Sequence, residues 1–350
     1  MSQVESASRE LSQSAGEPRP VRDIVVVGAS AGGLPALIAL VGSLPAAYAG
    51  TLFVTLHLPA GARSALASIL TREGELPAVL ASEGAPIRPG HIYVAPPDTR
   101  HLIVGRDRMH LVYGPRENGV RPAVDPLFRS AARSYGRRVI GIILSGTGAD
   151  GTEGIRAIKA AGGLAIAQDP TEAEFAGMPG YAIRFDDVDY VLPAAAMGPV
   201  LDELARSPVR GPVTGGSGDD PPTDRASAEK LEHNLAESAA PQVDGVASGF
   251  TCPDCGGPLW EARNGDERRF VCRVGHRWTG LASLVTQRAL TLEMRAWELL
   301  NGLEEYRMLL QQLTIEDYRS DPALPAEAVN RAQQAQALGV TIRAALPELV

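Results

Sequence analysis

Ile24-Val25-Val26-Val27-Gly28-Ala29-Ser30-Ala31-Gly32-Gly33 is an apolar run that breaks into a glycine-rich turn carrying a serine. Two later runs end the same way on other polar groups. Leu52-Phe53-Val54-Thr55-Leu56 meets His57, and Ile140-Gly141-Ile142-Ile143-Leu144 meets Ser145-Gly146-Thr147-Gly148-Ala149-Asp150-Gly151. Short, continuous apolar runs bounded by turn residues fit strands buried on both faces. Parallel strands present their carboxyl ends along one edge, and sites form in the crevice there. A serine, a histidine and an aspartate brought to one edge are the parts of a nucleophile–base–orienter relay.

Outward from these runs, strand-like and helix-like stretches alternate from Asp23 to about Arg206. Strands are expected at Ile24–Val27, Leu52–His57, Ile92–Ala95, Leu102–Val104, Leu111–Tyr113, Val139–Leu144, Leu164–Gln168 and Asp189–Leu192. Helices are expected at Leu34–Gly42, Ser64–Thr71, Pro126–Tyr135, Thr152–Ala161 and Ala194–Ala205. The alternation predicts an α/β fold with a doubly wound, mostly parallel, Rossmann-like sheet. Within Ile92–Tyr113 no helix separates the strands, which predicts a local antiparallel hairpin or meander.

Composition narrows the function. A net charge of −8 opposes phosphate, so nucleic acid is not the expected partner. No apolar stretch reaches the roughly 18 residues of a membrane span, so no membrane insertion is expected. Residues 1–22 read as a disordered lead-in without a signal-peptide core. The three cysteines all lie beyond residue 250, closely spaced and odd in number. They suggest metal binding in a reducing, cytoplasmic setting rather than a disulfide framework.

Gly28-Ala29-Ser30-Ala31-Gly32 fits G-x-S-x-G, a sharp strand-to-helix turn that holds a serine hydroxyl above the sheet. The helix after it points free backbone N–H groups toward an oxyanion. A dinucleotide fingerprint would need glycine at Ser30 and an acidic residue near the end of the second strand, where this chain has His57. Singly, each feature has a bland reading: a structural turn, a loop histidine, and a cap of helix Thr152–Ala161 at Asp150. Together they assign Ser30 as nucleophile, His57 as general base and Asp150 as orienter, with Asp98 and Asp125 as rival orienters. His91, His101, His110 and His233 are read as structural or surface residues.

Five further segments join the serine turn in one order: Leu-His-Leu-Pro (56–59), Tyr-Val-Ala-Pro-Pro-Asp (93–98), Arg-Pro-Ala-Val-Asp-Pro-Leu-Phe (121–128), Leu-Ser-Gly-Thr-Gly-Ala-Asp-Gly (144–151) and Gly-Met-Pro (177–179). As a set, over about residues 23–205, they resemble the catalytic domain of CheB-type chemotaxis protein-glutamate methylesterases. The resemblance implies hydrolysis of glutamyl methyl esters on chemoreceptors or other signalling proteins, and deamidation of certain glutamines. It places the triad on Ser30, His57 and Asp150. Two positions depart from the family pattern: Ala31 replaces a threonine and Thr147 a methionine. With Gly148, they are expected to line the oxyanion and substrate pocket. Members commonly carry an N-terminal phosphoacceptor receiver. Only 22 residues precede the first strand here, so phosphorylation in cis is not expected.

Residues 207–248 are rich in Gly, Ser, Pro and Asp and read as a flexible linker, with a short helical stretch at 227–238. A C-x2-C-x16-C-x3-H set follows: Cys252, Cys255, Cys272 and His276, within an expected module at 249–280. Four protein ligands leave no open position, which predicts a structural zinc ion. A redox C-x-x-C would need a βαβ setting that is absent. Residues 281–350 then predict two helices, Leu281–Gln312 and Ala326–Leu346, folded as a hairpin that docks a partner. Because of the linker, damage to the module is not expected to reach the sheet. The alternative to an esterase is a catalytically weak signalling scaffold that binds through this tail.

Overall fold

The computed structural model describes residues 20–58, 64–97, 100–185, 188–209, 245–264, 267–316 and 324–346. Residues 1–19, the 227–238 helix, His233, Asp98 and most of the expected linker lie outside them.

A seven-stranded sheet forms the centre, in the order β3-β4-β2-β1-β7-β8-β9. Its strands are β1 (Ile24–Ala29), β2 (Thr51–Leu56), β3 (Ala78–Leu80), β4 (Ile92–Val94), β7 (Val139–Ile143), β8 (Leu164–Gln168) and β9 (Tyr190–Leu192). Every neighbouring pair is parallel. Between them β5 (His101–Val104) and β6 (Met109–Val112) form the expected antiparallel hairpin apart from the main sheet. The chain leaves β1 toward β2 and later returns on β1's other side as β7. The sheet order therefore reverses beside β1, and that is where its carboxyl edge opens a crevice.

The alternation of side chains along β1 sorts the core into two layers. Val25 and Val27 pack with α1 (Gly33–Gly42), α2 (Leu66–Glu73) and α6 (Met197–Arg206), through Leu37, Leu40, Leu70 and Leu201. Ile24 and Val26 face the opposite layer of α3 (Val124–Tyr135), α4 (Thr152–Ala160) and α5 (Gly177–Phe185), through Leu127, Phe128, Ile155 and Met178. Helices on both faces explain why β1 and β7 are buried at every residue and why their sequences show no polar alternation.

A second, four-stranded sheet is ordered β10-β11-β12-β13: Val246–Thr251, Pro258–Asn264, Glu267–Cys272 and Arg277–Thr279, so its first strand begins inside the expected linker, at Val246 rather than after residue 248. Phe270 and Trp278 are buried in it. Residues Gly257–Gly280 belong to the same compact unit as the main sheet. Arg156 of α4 reaches Glu267 at 2.7 Å, Glu153 of α4 pairs with Arg269, and Glu117 bridges Arg277. The expected isolation of this segment is thus not what the fold shows. The linker's composition says nothing about where the chain beyond it docks, and these ion pairs are formed by residues far apart in sequence. The second unit comprises Thr251–Gly256 and the chain from Leu281, with helices α7 (Gly280–Glu316) and α8 (Leu324–Ala345), Leu300 of one lying against Gly339 of the other.

Helices α3 and α4 touch through Gly154, where an added Cβ would lie 2.3 Å from that of Phe128. Gly154→Ala should therefore overpack this contact and destabilise the domain by about 1–3 kcal/mol. Chemical denaturation measures the change, and an unaltered midpoint contradicts the packing described.

Candidate active site

Ser30 follows the last residue of β1, His57 the last of β2, and Asp150 lies seven residues beyond the end of β7. The sheet edge thus brings all three together. His57 is fixed from its backbone, its N–H donating to the Ala29 carbonyl at 3.0 Å. Its Nε2 lies 2.8 Å from Asp150 Oδ2. Aspartate ionised is only an acceptor, so this contact places the ring proton on Nε2 and leaves Nδ1 as the basic nitrogen. Ser30 is half-buried, and its hydroxyl has no hydrogen-bond partner among the described residues.

The serine turn is held by Ser145, a residue whose role the sequence did not reveal. Its carbonyl accepts from Ser30 N at 3.0 Å, and its hydroxyl donates to the Ala31 carbonyl at 2.8 Å. The same hydroxyl accepts from Phe175 N at 3.0 Å, and Gln168 Oε1 accepts from Ser145 N at 2.8 Å. Gly32, at φ 66°, supplies the left-handed residue that ends the turn. Thr147 and Gly148 are exposed in the neighbouring loop, which Met178 closes from behind by donating from its N–H to the Gly146 carbonyl at 2.8 Å. The amides of Ala31, Thr147 and Gly148 have no hydrogen-bond partner among the described residues. A cleft of about 340 Å³ opens beside His57, walled by Leu58, Arg116, Gly119, Val120 and Arg121.

Asp150 does not cap its own helix. Gly151 takes the N-cap of α4, and the Asp150 carboxylate instead accepts from the first two amides of α3, Val124 N at 2.7 Å and Asp125 N at 3.2 Å. Ala123, at the N-cap of α3, offers no side-chain acceptor, so the aspartate satisfies donors that would otherwise be orphaned. Burial pushes the Asp150 carboxyl up, but the hydrogen bond and charge of His57, with the α3 amide, hold it below the ordinary value. Asp125 shows the opposite balance. Burial, then the charge of Asp150, push its carboxyl well above the ordinary range. It makes no contact with His57, and its Oδ1 accepts from Gly154 N at 2.7 Å, so it caps α4. Of the two rival orienters, Asp125 thus stands behind Asp150, and Asp98 lies outside the described residues.

His101 is buried, accepting from Ala123 N at Nδ1 and reaching the Pro115 carbonyl from Nε2. His110 is buried against Glu83, and His91 bonds the Pro89 carbonyl. Farther along the chain, the ligand atoms of Cys252, Cys255, Cys272 and His276 all lie within 4.8 Å of one another. The 3.5 Å between Cys272 Sγ and His276 Nδ1 suits the edge of a tetrahedron with ligands at about 2.1–2.3 Å. The donor set therefore fits a metal ion.

The family described as CheB methylesterase matches residues 25–201. The chain belongs to that family. A protein-glutamate methylesterase/protein-glutamine glutaminase of Methanosarcina mazei is 37% identical over 211 residues, 58% of each chain. One from Anaeromyxobacter dehalogenans is 41% identical over 184 residues, 53% of this chain and 54% of its own. The crystal structure of the Thermotoga maritima CheB methylesterase catalytic domain superposes with a TM-score of 0.51 at 36% identity, covering 52% of this chain and 98% of that one. The chain spans about half the length of the curated relatives it matches. The CheB region ends before the Cys/His segment and both long helices.

The raised Asp125 carboxyl carries a pH signature. Its folded-state pKa is raised, so the stability it contributes is full below the unfolded carboxyl value of about 4 and is lost as pH rises toward the folded value. Asn copies the protonated acid. Urea denaturation of Asp125→Asn should therefore shift in the variant's favour, relative to the parent, as pH rises from 5 to 8. A difference independent of pH, or one moving the other way, contradicts a raised Asp125 carboxyl.

Proposed function

We propose that this chain is a serine esterase that hydrolyses methyl esters of glutamyl side chains on signalling proteins, methylated chemoreceptors among them. The observation that carries the reading is the His57–Asp150 contact of 2.8 Å at the sheet edge that also holds Ser30, within the region matched to CheB methylesterases. The names of the relatives supply the substrate class and the second activity, deamidation of glutamine.

In this mechanism the Ser30 hydroxyl adds to the ester carbonyl as its proton passes to His57 Nδ1. Asp150 holds the ring by Nε2–H and stabilises the imidazolium. The amides of Ala31, Thr147 and Gly148, unpartnered among the described residues, supply the donors for the oxyanion. Collapse expels methanol, which takes the proton from His57, and leaves an acyl-enzyme on Ser30. Water then attacks with His57 again as base, restoring the glutamate carboxylate and the serine. A glutamine follows the same course with ammonia as leaving group. No metal takes part. Cys252, Cys255, Cys272 and His276 would hold one zinc ion whose contribution is structural, tying the chain ends of the module together.

The working compartment is the cytoplasm, and nucleic acid is not a partner. Among the described residues, no helix is long and apolar enough to cross a membrane. The helical tail serves partner binding. A second reading, a scaffold that binds signalling proteins with little catalysis, draws on Ala31 and Thr147, where the family pattern has larger side chains.

Ser30→Ala and His57→Gln should each lower methanol release from a methylated receptor by about 10⁴-fold or more, and Asp150→Asn by less. Parental rates in Ser30→Ala contradict the esterase and leave the scaffold. Metal analysis of the freshly purified, reduced chain should find one zinc, lost in Cys272→Ser. Substantially less than one in the parent contradicts the zinc assignment.

A further inference from the structure

Strand β13 reaches the Asp150 carboxylate through one side chain. Asn118 lies in the loop before α3 at φ 50°, a left-handed conformation that asparagine tolerates better than most residues. Its backbone N–H donates to the Arg277 carbonyl at 2.8 Å, and Arg277 N–H points back to the Arg116 carbonyl at 3.4 Å. Its side-chain Oδ1 accepts from Thr279 N at 2.8 Å. The Thr279 amide can only donate, so the oxygen must face it, and the carboxamide cannot be turned over. The Nδ2 group is thereby aimed at two carboxylates, lying 3.5 Å from both Asp150 Oδ1 and Asp125 Oδ2. Arg116, two residues before Asn118, and Gly119, directly after it, line the cleft beside His57. The strand that clamps Asn118 is itself anchored to α4 through β12, by the pairings of Arg269 with Glu153 and of Glu267 with Arg156.

We propose that Asn118 is a positioning residue for Asp150, locked in its productive orientation by the Thr279 amide, so that β13 is a working part of the active site and not a removable appendage. This rests on the assignment of Asp150 as orienter. A side-chain N–H directed at Asp150 favours its charged form and opposes its rotation toward Asp125. The charged and titratable groups around this point are His57 at the end of β2, Asp125 and Arg129 on α3, Glu117 beside Asn118, His101 on β5, and Arg269 and Arg277 on β12 and β13. Asn118 is the neutral member among them. Removing its amide takes away a donor without altering net charge.

Two variants of the full chain separate this role from a merely structural one. Asn118→Gly keeps the left-handed backbone and removes the carboxamide. Thr279→Pro keeps Asn118 and removes the donor that orients it. The carboxyl of Asp150, followed by ¹³C NMR of aspartate-labelled protein, should titrate at higher pH in both variants than in the parent. Ester hydrolysis should fall on the order of tenfold in kcat, with KM within about twofold, because the orienter is displaced while the cleft remains. An Asp150 titration unchanged in Asn118→Gly overturns the proposal. So does a change in Asn118→Gly that Thr279→Pro fails to reproduce while both remain folded by circular dichroism. Absence of hydrolysis in the parent itself would count against the esterase reading alone, since the titration is read without turnover.

Discussion

The carboxylate of Asp150 at the amino end of α3 is the interaction on which the rest of the site depends. One oxygen meets both Val124 N at 2.7 Å and His57 Nε2 at 2.8 Å. A helix amino terminus leaves amides without partners and carries partial positive charge, so an anion is favoured there. The charge that orients His57 is therefore also the group that completes a helix end. Losing it would leave the His57 ring and two buried amides without their partner. This shared use explains how a carboxylate can remain ionised at 2% exposure, where desolvation alone would drive it neutral.

The arrangement continues one step inward. Asp125, in the first turn of α3, accepts from Gly154 N in α4, while Asp150, just before α4, accepts from α3. The two helices thus exchange acceptors across the contact that Gly154 and Phe128 make close. Two carboxylates this near cannot both be charged without cost, and their environments divide the roles. Asp150 faces His57 and its carboxyl is held below the ordinary value, while Asp125 faces protein and its carboxyl is pushed well above it. On the other side of the sheet's reversal point, Ser145 ties the serine turn to β7 through Ala31 and Ser30. The serine and the histidine are therefore held by different strands, with β1 between the supports.

Much of this was readable in the sequence, for physical reasons. Strands β1, β2 and β7 lie in the middle of a sheet covered on both faces, so they are apolar throughout, and the residue ending each run is marked by contrast. Strand β3 escapes a reading of the sequence because it is only three residues long, with Ala78 buried but Val79 and Leu80 exposed, and carries no periodic signal. Helix α5 is absent from the expected helices because its nine residues include Gly177, Pro179 and Gly180, which give a poor helical signal, although proline is tolerated in a first helical turn. The Cys/His segment was legible as a Cys3His cluster able to hold a metal ion but not as a sheet joined to α4. The ion pairs Arg156–Glu267 and Arg269–Glu153 join residues more than 100 positions apart, and nothing local announces them. Asn118 is the clearest case. It sits in an unremarked loop, and its meaning comes from Thr279, 161 residues away.

The most direct test of the account joins the nucleophile to the carboxylate that orients its base. A fluorophosphonate reacts only with a serine whose hydroxyl is activated, and peptide mass spectrometry locates the adduct. One phosphonate per chain is expected, on Ser30, formed much faster in the parent than in Asp150→Asn at pH 7. Labelling at Ser30 with equal rates in the two proteins, or labelling elsewhere with Ser30 untouched, would contradict it.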